Sequence, residues 1–137
     1  VIFYRHEDVA ERVKILTSGR GVDVVYDSVG KDTFSASLDS LAPLGMMVSF
    51  GNASGAVPDV SPLLLMQKGS LFLTRPTLSH YAPDQSSLQA LADSLFAAIN
   101  KGWISVDIGQ RLPLLEAAKA QQELANRNTI GSTILLP

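Results

Sequence analysis

Small polar residues and glycines follow an apolar strand pattern at Tyr26-Asp27-Ser28-Val29-Gly30. In an open parallel sheet, ligands bind outside the carboxyl ends of the strands. Ser28 and Gly30 would let the backbone approach a planar or phosphate-bearing ligand, because neither residue carries a bulky side chain. In an ordinary strand-to-helix turn, by contrast, Asp27 or Ser28 would only cap the following helix. The segment taken alone leaves both interpretations open.

A second segment of this kind follows the next strand pattern, at Ser49-Phe50-Gly51-Asn52-Ala53-Ser54-Gly55. Its glycines, amide and hydroxyl groups offer hydrogen bonds without blocking the approach of an amide-bearing ring. A flexible connection would have a similar composition. Since two adjacent parallel strands both end in small polar loops, however, the pair of segments predicts a ligand crevice at this edge of the sheet.

The third candidate lies near the C-terminus, at Arg127-Asn128-Thr129-Ile130-Gly131-Ser132. Arg127 and Thr129 could hold a phosphate or an amide. The end of a surface helix followed by a turn explains the same residues equally well. Both interpretations of this segment remain open.

Several kinds of site are excluded or disfavoured by the residues that the sequence lacks. The chain has no cysteine, which excludes disulfides, thiol catalysis and cysteine-ligated zinc from this segment. His6 and His80 are far apart and do not have the spacing of metal ligands. Gly19-Arg20-Gly21 precedes a strand pattern, whereas a phosphate-binding glycine loop must follow a strand and open a helix. No catalytic group can therefore be named from the sequence, and no metal site is expected.

Composition limits the partners of the chain. Its 137 residues carry a net charge of −2, so no basic surface argues for nucleic acid. No apolar run approaches the roughly 20 residues that a membrane-spanning helix needs. We therefore expect a protein without nucleic-acid or membrane partners, and the absence of cysteine agrees with a cytoplasmic location.

Strand and helix patterns alternate along the chain, which predicts an α/β fold with a parallel sheet and right-handed crossovers. Strands are predicted at 1–4, 22–26, 46–50, 70–74 and 132–136, and helices at 8–17, 34–41, 63–67, 88–99 and 114–124. The continuous apolar run at 22–26 suggests a strand that is buried on both faces. Residues 109–113 are predicted to form a loop. Only three or four good parallel strands are visible, fewer than a complete doubly wound fold uses.

The order of these segments resembles the C-terminal portion of the NADPH:quinone reductases in the medium-chain dehydrogenase/reductase superfamily. The resemblance covers essentially the whole chain. It rests on the segments Tyr4-Arg5, 21–30, 45–55, 67–76 and 129–132.

The resemblance implies a partial Rossmann-type doubly wound parallel sheet flanked by helices, lacking the first strands of the full fold. Residues 1–137 would form the C-terminal portion of a nicotinamide-cofactor-binding domain. The closing segment 113–137 would return to a catalytic barrel domain. Because the phosphate-binding loop and the barrel would lie upstream of Val1, we expect the isolated chain to be inactive.

The resemblance also implies residues that contact NADPH. Tyr4 would lie near the adenosine ribose phosphate and Ser28 beside the dinucleotide. The nicotinamide side of the crevice would be lined by Phe50, Gly51, Asn52 and Ser54, and the C-terminal segment would contribute Arg127, Thr129 and Gly131. The family reaction transfers a hydride from NADPH to a quinone or a similar small electrophile, and this branch of the superfamily is zinc-independent.

The resemblance further implies a homodimer that pairs the edge strand Ser70 to Pro76 with its copy. An apolar edge strand also needs to be covered for physical reasons. A strand shielded by helices of its own chain is the alternative. For the whole chain, the alternative to an oxidoreductase is a non-catalytic Rossmann-like module that serves dimerisation or ligand binding.

Overall fold

The computed structural model describes residues 1–4 and 6–137, and its strands and helices alternate as an α/β fold requires. The chain divides into two compact units, Val1–Pro83 and Asp84–Pro137.

The first unit is built around a three-stranded parallel sheet with the strand order β1-β2-β3. Its strands are β1 (Val22–Asp27), β2 (Leu41–Ser49) and β3 (Phe72–Thr74), and its helices are α1 (Val9–Leu16), α2 (Phe34–Asp39), α3 (Pro62–Gln67) and α4 (Leu78–Tyr81). Because the three strands are parallel, their carboxyl ends and the loops that follow them lie at one edge of the sheet.

One face of this sheet carries the hydrophobic core. Met47 in the middle of β2 is completely buried and Leu38 of α2 is 2% exposed, and both belong to a cluster that also contains Phe34, Leu41 and Leu71. Side chains of α3 pack against this cluster. The core thus lies on the side of the sheet that α2 and α3 cover.

The other face of the same sheet is open. Side chains alternate between the two faces of a strand, and the register places Val24 opposite Met46 and Met46 opposite Phe72. These three side chains are exposed, and Tyr26 of β1 is 73% exposed. The prediction that residues 22–26 are buried on both faces is therefore wrong for the described chain.

Several predicted boundaries also differ from the structure. Val1–Tyr4 forms no strand and instead contains a turn in which the N–H of Tyr4 donates to the carbonyl of Ile2. Strand β2 begins at Leu41, five residues before the predicted start. It passes through a bulge, because Leu44 has a left-handed backbone conformation (φ 63°) and the register with β1 shifts there. Strand β3 begins at Phe72, after the left-handed Ser70 (φ 57°).

The second unit pairs two further parallel strands. Helix α5 (Gln85–Asn100) precedes β4 (Ile108–Pro113), a short 3₁₀ turn (Leu114–Glu116) leads into α6 (Ala117–Ala125), and β5 (Ser132–Leu136) closes the chain. The predicted loop at 109–113 is thus wrong.

The reason for this error is a contact between residues that are distant in sequence. A side chain at Gly109 would overlap the backbone carbonyl of Ile130, so the glycine allows the segment before β5 to lie against β4. Residues 108–113 form a strand through their parallel pairing with β5, which the sequence of the segment does not reveal.

Candidate functional site

The carboxylate of Asp27 organises the end of β1. Asp27 is 4% exposed, and its Oδ1 accepts hydrogen bonds from the backbone N–H groups of Val29 (2.8 Å) and Gly30 (3.0 Å). Its Oδ2 accepts hydrogen bonds from the hydroxyl groups of Thr33 and Ser37, both at 2.7 Å. A single side chain therefore joins the strand end, the following loop and helix α2.

These hydrogen bonds also decide the charge of Asp27. Burial alone would raise the pKa of Asp27, because it disfavours the charged form. Hydrogen bonds from the Gly30 N–H, the Ser37 and Thr33 hydroxyls and the Val29 N–H favour the carboxylate more strongly, so the pKa of Asp27 lies below its ordinary value. Asp27 is thus ionised at neutral pH and accepts all four hydrogen bonds.

A second loop lies directly against the first. The Phe50 N–H donates to the carbonyl of Asp27 (2.8 Å), and the Ser54 N–H and hydroxyl both donate to the carbonyl of Val29 (2.8 Å each). A side chain at Gly51 would overlap the backbone of Ser28, so only glycine permits this approach. We refer to residues 28–33 and 50–55 as the paired loops.

The far ends of the paired loops are joined as well. The Asp32 N–H donates to the Ser54 hydroxyl (3.0 Å), and the Lys31 N–H donates to the carbonyl of Gly55 (3.2 Å). Gly30 has a positive φ of 91°, and a side chain there would meet the Gly55 carbonyl oxygen at 2.6 Å. The composition of these loops would also fit flexible connections, but the hydrogen bonds between them join the two loops into one surface.

The third strand contributes a cation to this edge. Arg75 directly follows β3, and its Nη1 donates a hydrogen bond to the backbone carbonyl of Ser49 (2.9 Å), the last residue of β2. The next residue, Pro76, has no N–H with which to extend the ladder between β2 and β3. Because the Pro76 backbone cannot donate, the Arg75 side chain provides the hydrogen-bond donor to the end of β2.

Two cavities open beside the paired loops, and Arg75 lines both. The smaller has a volume of about 280 Å³ and is lined by Phe34, Ser49, Asn52, Ala56, Val57, Pro58, Val60, Leu73 and Arg75. The larger and more open one has a volume of about 680 Å³ and is lined by Phe50, Arg75, Pro76, Thr77, Leu78 and Tyr81. We call the larger one the Phe50–Tyr81 cleft. Both are concave spaces at the carboxyl edge of a parallel sheet, where ligands bind in this type of fold.

The structure brings five of the predicted site residues together in the paired loops. Among the described residues, the Ser28 hydroxyl makes no hydrogen bond, and Ser28, Phe50 and Asn52 are exposed. Gly51 and the Ser54 hydroxyl are instead occupied by the contact between the loops. The first three residues are thus available to a ligand, and the other two hold the surface in place.

The remaining predicted site residues lie outside the paired loops. Tyr4 is 62% exposed and Arg5 lies outside the described residues. Arg127, Thr129 and Gly131 belong to the second unit. There Arg127 (φ 58°) follows the end of α6 and Gly131 (φ 72°) precedes β5. This is the surface helix end followed by a turn that the sequence allowed as the alternative to a ligand-binding segment. The roles of these residues toward a cofactor stay predictions.

Sequence reasoning missed the central part played by Asp27 and the position of Arg75. The sequence predicts Asp27 only as a possible helix cap, whereas its carboxylate accepts hydrogen bonds from two loop amides and two hydroxyls. The signal was present in the spacing of Thr33 and Ser37, which lie four residues apart and therefore on one side of a helical turn. Arg75 carried no local signal, since its partner Ser49 is 26 residues away in sequence.

In residues 1–4 and 6–137, no group of three or more His, Asp or Glu side chains could hold a metal ion. No helix in the described chain is long and apolar enough to cross a membrane. The described residues thus do not fit a zinc ion.

Comparison with known proteins gives matches along nearly the whole chain. The sequence model of the family described as zinc-binding dehydrogenase matches residues 1–135. The quinone oxidoreductase of Pseudomonas aeruginosa is 58% identical over 136 residues, which are 99% of this chain and 42% of that protein. A 2-haloacrylate reductase from a Burkholderia species is 44% identical over 137 residues, which are 99% of this chain and 41% of that protein.

A solved structure with the same fold is the Escherichia coli quinone oxidoreductase complexed with NADPH. It is 49% identical with a TM-score of 0.92, and the match covers 100% of this chain and 43% of that one. The predicted Rossmann-type fold class is thereby confirmed. The chain spans less than half the length of the relatives that it matches.

Replacement of Asp27 by Asn tests the network around β1. An amide NH₂ cannot accept the hydroxyl hydrogen bonds of Thr33 and Ser37, so we expect Asp27→Asn to lower the free energy of unfolding by on the order of 2 kcal/mol or more at neutral pH. Because the folded-state pKa of Asp27 is lowered, its charge contributes stability above the unfolded-state pKa, about 3.9. This contribution is lost as the pH falls through the folded-state value.

The measurement is urea unfolding of both proteins from about pH 7 down to about pH 3. The difference between them should shrink below about pH 4, while the exposed Asp59→Asn control should match the unmodified chain throughout. A difference that is absent at neutral pH, or constant across the range, would contradict this account of Asp27.

Proposed function

Because the chain belongs to the zinc-binding dehydrogenase family, we propose that it forms the C-terminal part of the cofactor-binding domain of an NADPH-dependent quinone oxidoreductase. The observation that carries the proposal is the preformed surface of the paired loops, at the sheet edge where dinucleotides bind. In this proposal residues 1–137 serve the cofactor, and the closing segment 113–137 returns to a barrel domain.

The paired loops suit a nicotinamide cofactor by their chemistry. Ser28 would lie beside the dinucleotide, and its hydroxyl can both donate and accept. Asn52 has an amide that matches the hydrogen-bonding groups of a carboxamide, and the Phe50 ring, which is 49% exposed, offers a flat apolar surface. When bound, NADPH would supply the hydride, and the residues of this chain would orient its ring and exclude water from one side.

Tyr4, Arg127, Thr129 and Gly131 enter the proposal through the resemblance to the family alone. Asp27 is not a candidate proton donor, because it is buried and its oxygens accept four hydrogen bonds. We assign no catalytic group. That the proposed reaction uses no zinc rests on the resemblance to the zinc-independent branch of the family alone.

A second candidate acceptor is an activated alkene. The Burkholderia relative is a 2-haloacrylate reductase at 44% identity, which favours hydride transfer to an electrophilic carbon in place of a quinone. Nothing in the paired loops distinguishes the two acceptors, because these loops face the cofactor in our proposal.

We place the protein in the cytoplasm, where NADPH is supplied.

A chimeric enzyme tests the proposed function directly. The matching 136 residues of the Pseudomonas aeruginosa quinone oxidoreductase would be replaced by this chain. We expect NADPH-dependent reduction of 1,4-benzoquinone within about tenfold of the parent enzyme, and no turnover by the 137-residue chain alone. In the chimera, Gly51→Ala should lower kcat/KM by about 100-fold, because the added methyl group forces the paired loops apart.

The matched control is Ala53→Ser, which adds one atom at the exposed tip of the same loop and should keep the activity. A folded chimera that neither binds NADPH nor turns over would favour the alternative of a non-catalytic Rossmann-like module. Turnover of a haloacrylate but not of the quinone would favour the second acceptor. Turnover by the 137-residue chain alone would contradict the proposal that it supplies only part of the site.

We also propose a homodimer formed through the edge strand Ser70 to Pro76. Strand β3 is at the end of the three-stranded sheet and pairs only with β2 among the described residues. Its Phe72 is 57% exposed. Pairing of β3 with its copy would extend the sheet across a two-fold axis and cover this apolar edge.

Substitution of Phe72 tests the dimer. A lysine on an edge strand opposes pairing with a second copy, since two like charges would be brought together. We expect Phe72→Lys to shift the chain toward the monomer by at least about tenfold in dissociation constant, as measured by sedimentation equilibrium. Leu16→Lys, a substitution at an exposed position of α1, is the control and should leave the equilibrium unchanged. An unmodified chain that is monomeric throughout would contradict the proposal.

A further inference from the structure

We propose that pairing of β3 with its copy controls the order of the candidate site, with Arg75 as the positioning residue that joins the end of this strand to the second of the paired loops. The inference rests on the proposed function for what the site binds and on the proposed homodimer for the second copy. It adds a regulatory property to both: the dimer holds a preformed site, and a separated copy holds a looser one.

The first step of the argument is how weakly β3 is held within one copy. The strand has three residues and its register with β2 consists of three pairs, whereas strands in globular proteins usually have about five or six residues. Among the described residues β2 is its only partner strand, and the other edge of β3 is unpaired. A short strand with one partner opens more readily than the centre of a sheet does.

The second step is the continuation of β3 into Arg75. Side chains alternate along an extended segment, and Leu71, Leu73 and Arg75 lie on the face of the sheet that carries the core. Leu71 belongs to the core cluster, and the other two side chains line the smaller cavity together with Phe34 of α2. The Arg75 side chain therefore keeps its place only while the strand before it stays paired with β2.

The third step is the contact that Arg75 makes. Its Nη1 donates to the carbonyl of Ser49, the last residue of β2, which is 5% exposed. The next residue is Phe50, whose N–H donates to the carbonyl of Asp27. The guanidinium thus holds the backbone at the point where the second of the paired loops begins, and opening of β3 withdraws this donor.

The fourth step is the effect of a second copy on this chain of contacts. In the proposed dimer β3 is paired on both sides, so both ladders must break before the strand opens. Phe72 is 57% exposed, and pairing would cover part of this apolar side chain as well. We therefore expect the dimer to hold Arg75, and through it residues 50–55, more firmly than a separated copy does.

Hydrogen exchange tests this coupling without any cofactor. Exchange is measured by mass spectrometry on fragments of the 137-residue chain, at concentrations about tenfold above and about tenfold below the dimer dissociation constant. We expect residues 50–55 to exchange at least about fivefold faster in the dilute sample. The fragment that contains α1 is the control and should change by less than about twofold, because α1 is not paired with β3.

Substitutions of Arg75 assign the coupling to its guanidinium. Arg75→Met keeps a long side chain but removes the donors, so residues 50–55 should exchange at the fast rate at both concentrations. Arg75→Lys keeps a charged donor and should restore part of the protection. The control Arg111→Met removes the same charge from an exposed position on β4 in the second unit and should behave as the unmodified chain does.

The chimera extends the test to the proposed reaction. Phe72→Lys opposes pairing of the two copies, and Arg75→Met removes the link to the loop, so each should lower kcat/KM for NADPH by about tenfold. Because both substitutions interrupt the same chain of contacts, the double variant should lose no more than about twofold beyond the poorer single variant. Losses that multiply in the double variant would show that Arg75 does not carry the coupling.

A dimeric chain whose residues 50–55 exchange equally at both concentrations would overturn the inference. An equal change in α1 would also overturn it, because it would show only a general effect of association on stability. A chain that is monomeric at every concentration would refute the homodimer and the inference together.

Dilution compares the unmodified chain with itself, so this test holds even if an Arg75 variant does not fold. The exchange measurement also uses no NADPH. A chimera without quinone reductase activity would therefore refute the proposed function and leave the exchange result unchanged. An active chimera whose chain shows no concentration-dependent exchange at residues 50–55 would refute only the coupling.

Discussion

The buried carboxylate of Asp27 is the interaction on which the candidate site depends. It fixes the loop after β1 through two backbone amides and fixes helix α2 through two hydroxyl groups. The second loop is then bonded to the backbone of the first, from the Phe50 N–H to the carbonyl of Asp27 itself. A buried charge that lacked these donors would cost several kcal/mol, as would the buried donors without the charge. The ionised carboxylate thus positions the first loop, and the second loop is positioned by hydrogen bonds to the backbone of the first.

This arrangement separates the residues that hold the site from those that can meet a ligand. Gly30, Gly51 and the Ser54 hydroxyl are used up by contacts between the loops. Ser28, Phe50 and Asn52 remain exposed at the same edge of the sheet, and Arg75 reaches this edge from β3. Groups that are held in place before binding lose little conformational entropy when a ligand arrives. Such a surface suits a cofactor that carries the reactive group itself and needs the protein mainly to position its ring.

Much of this arrangement could be predicted from the sequence, because its signals are local. Apolar strand patterns followed by small polar residues located both loops, and the parallel sheet placed them at one edge. What could not be predicted depends on contacts between distant residues. The sequence of β4 is typical of a loop, and the contact between Gly109 and Ile130 is between residues that are distant in sequence. Because β2 contains a bulge, the sequence pattern does not predict its five residues before Met46. Val1 to Tyr4 has a strand-like composition but no neighbouring strand in the described chain. For Tyr4, Arg127, Thr129 and Gly131 the family resemblance alone indicates a role toward a cofactor.

The most direct test of the central claim is to map where NADPH binds on the ¹⁵N-labelled chain by its effect on the backbone amide signals. Our account predicts that NADPH, at concentrations on the order of 1 mM, shifts the amides of residues 28–33 and 50–55 first and most strongly. The amides of α1, which makes no described hydrogen bond to the paired loops, should stay unchanged. Shifts concentrated elsewhere in the first unit, or none in the paired loops at saturation, would contradict the claim that these loops form one side of a nicotinamide cofactor site.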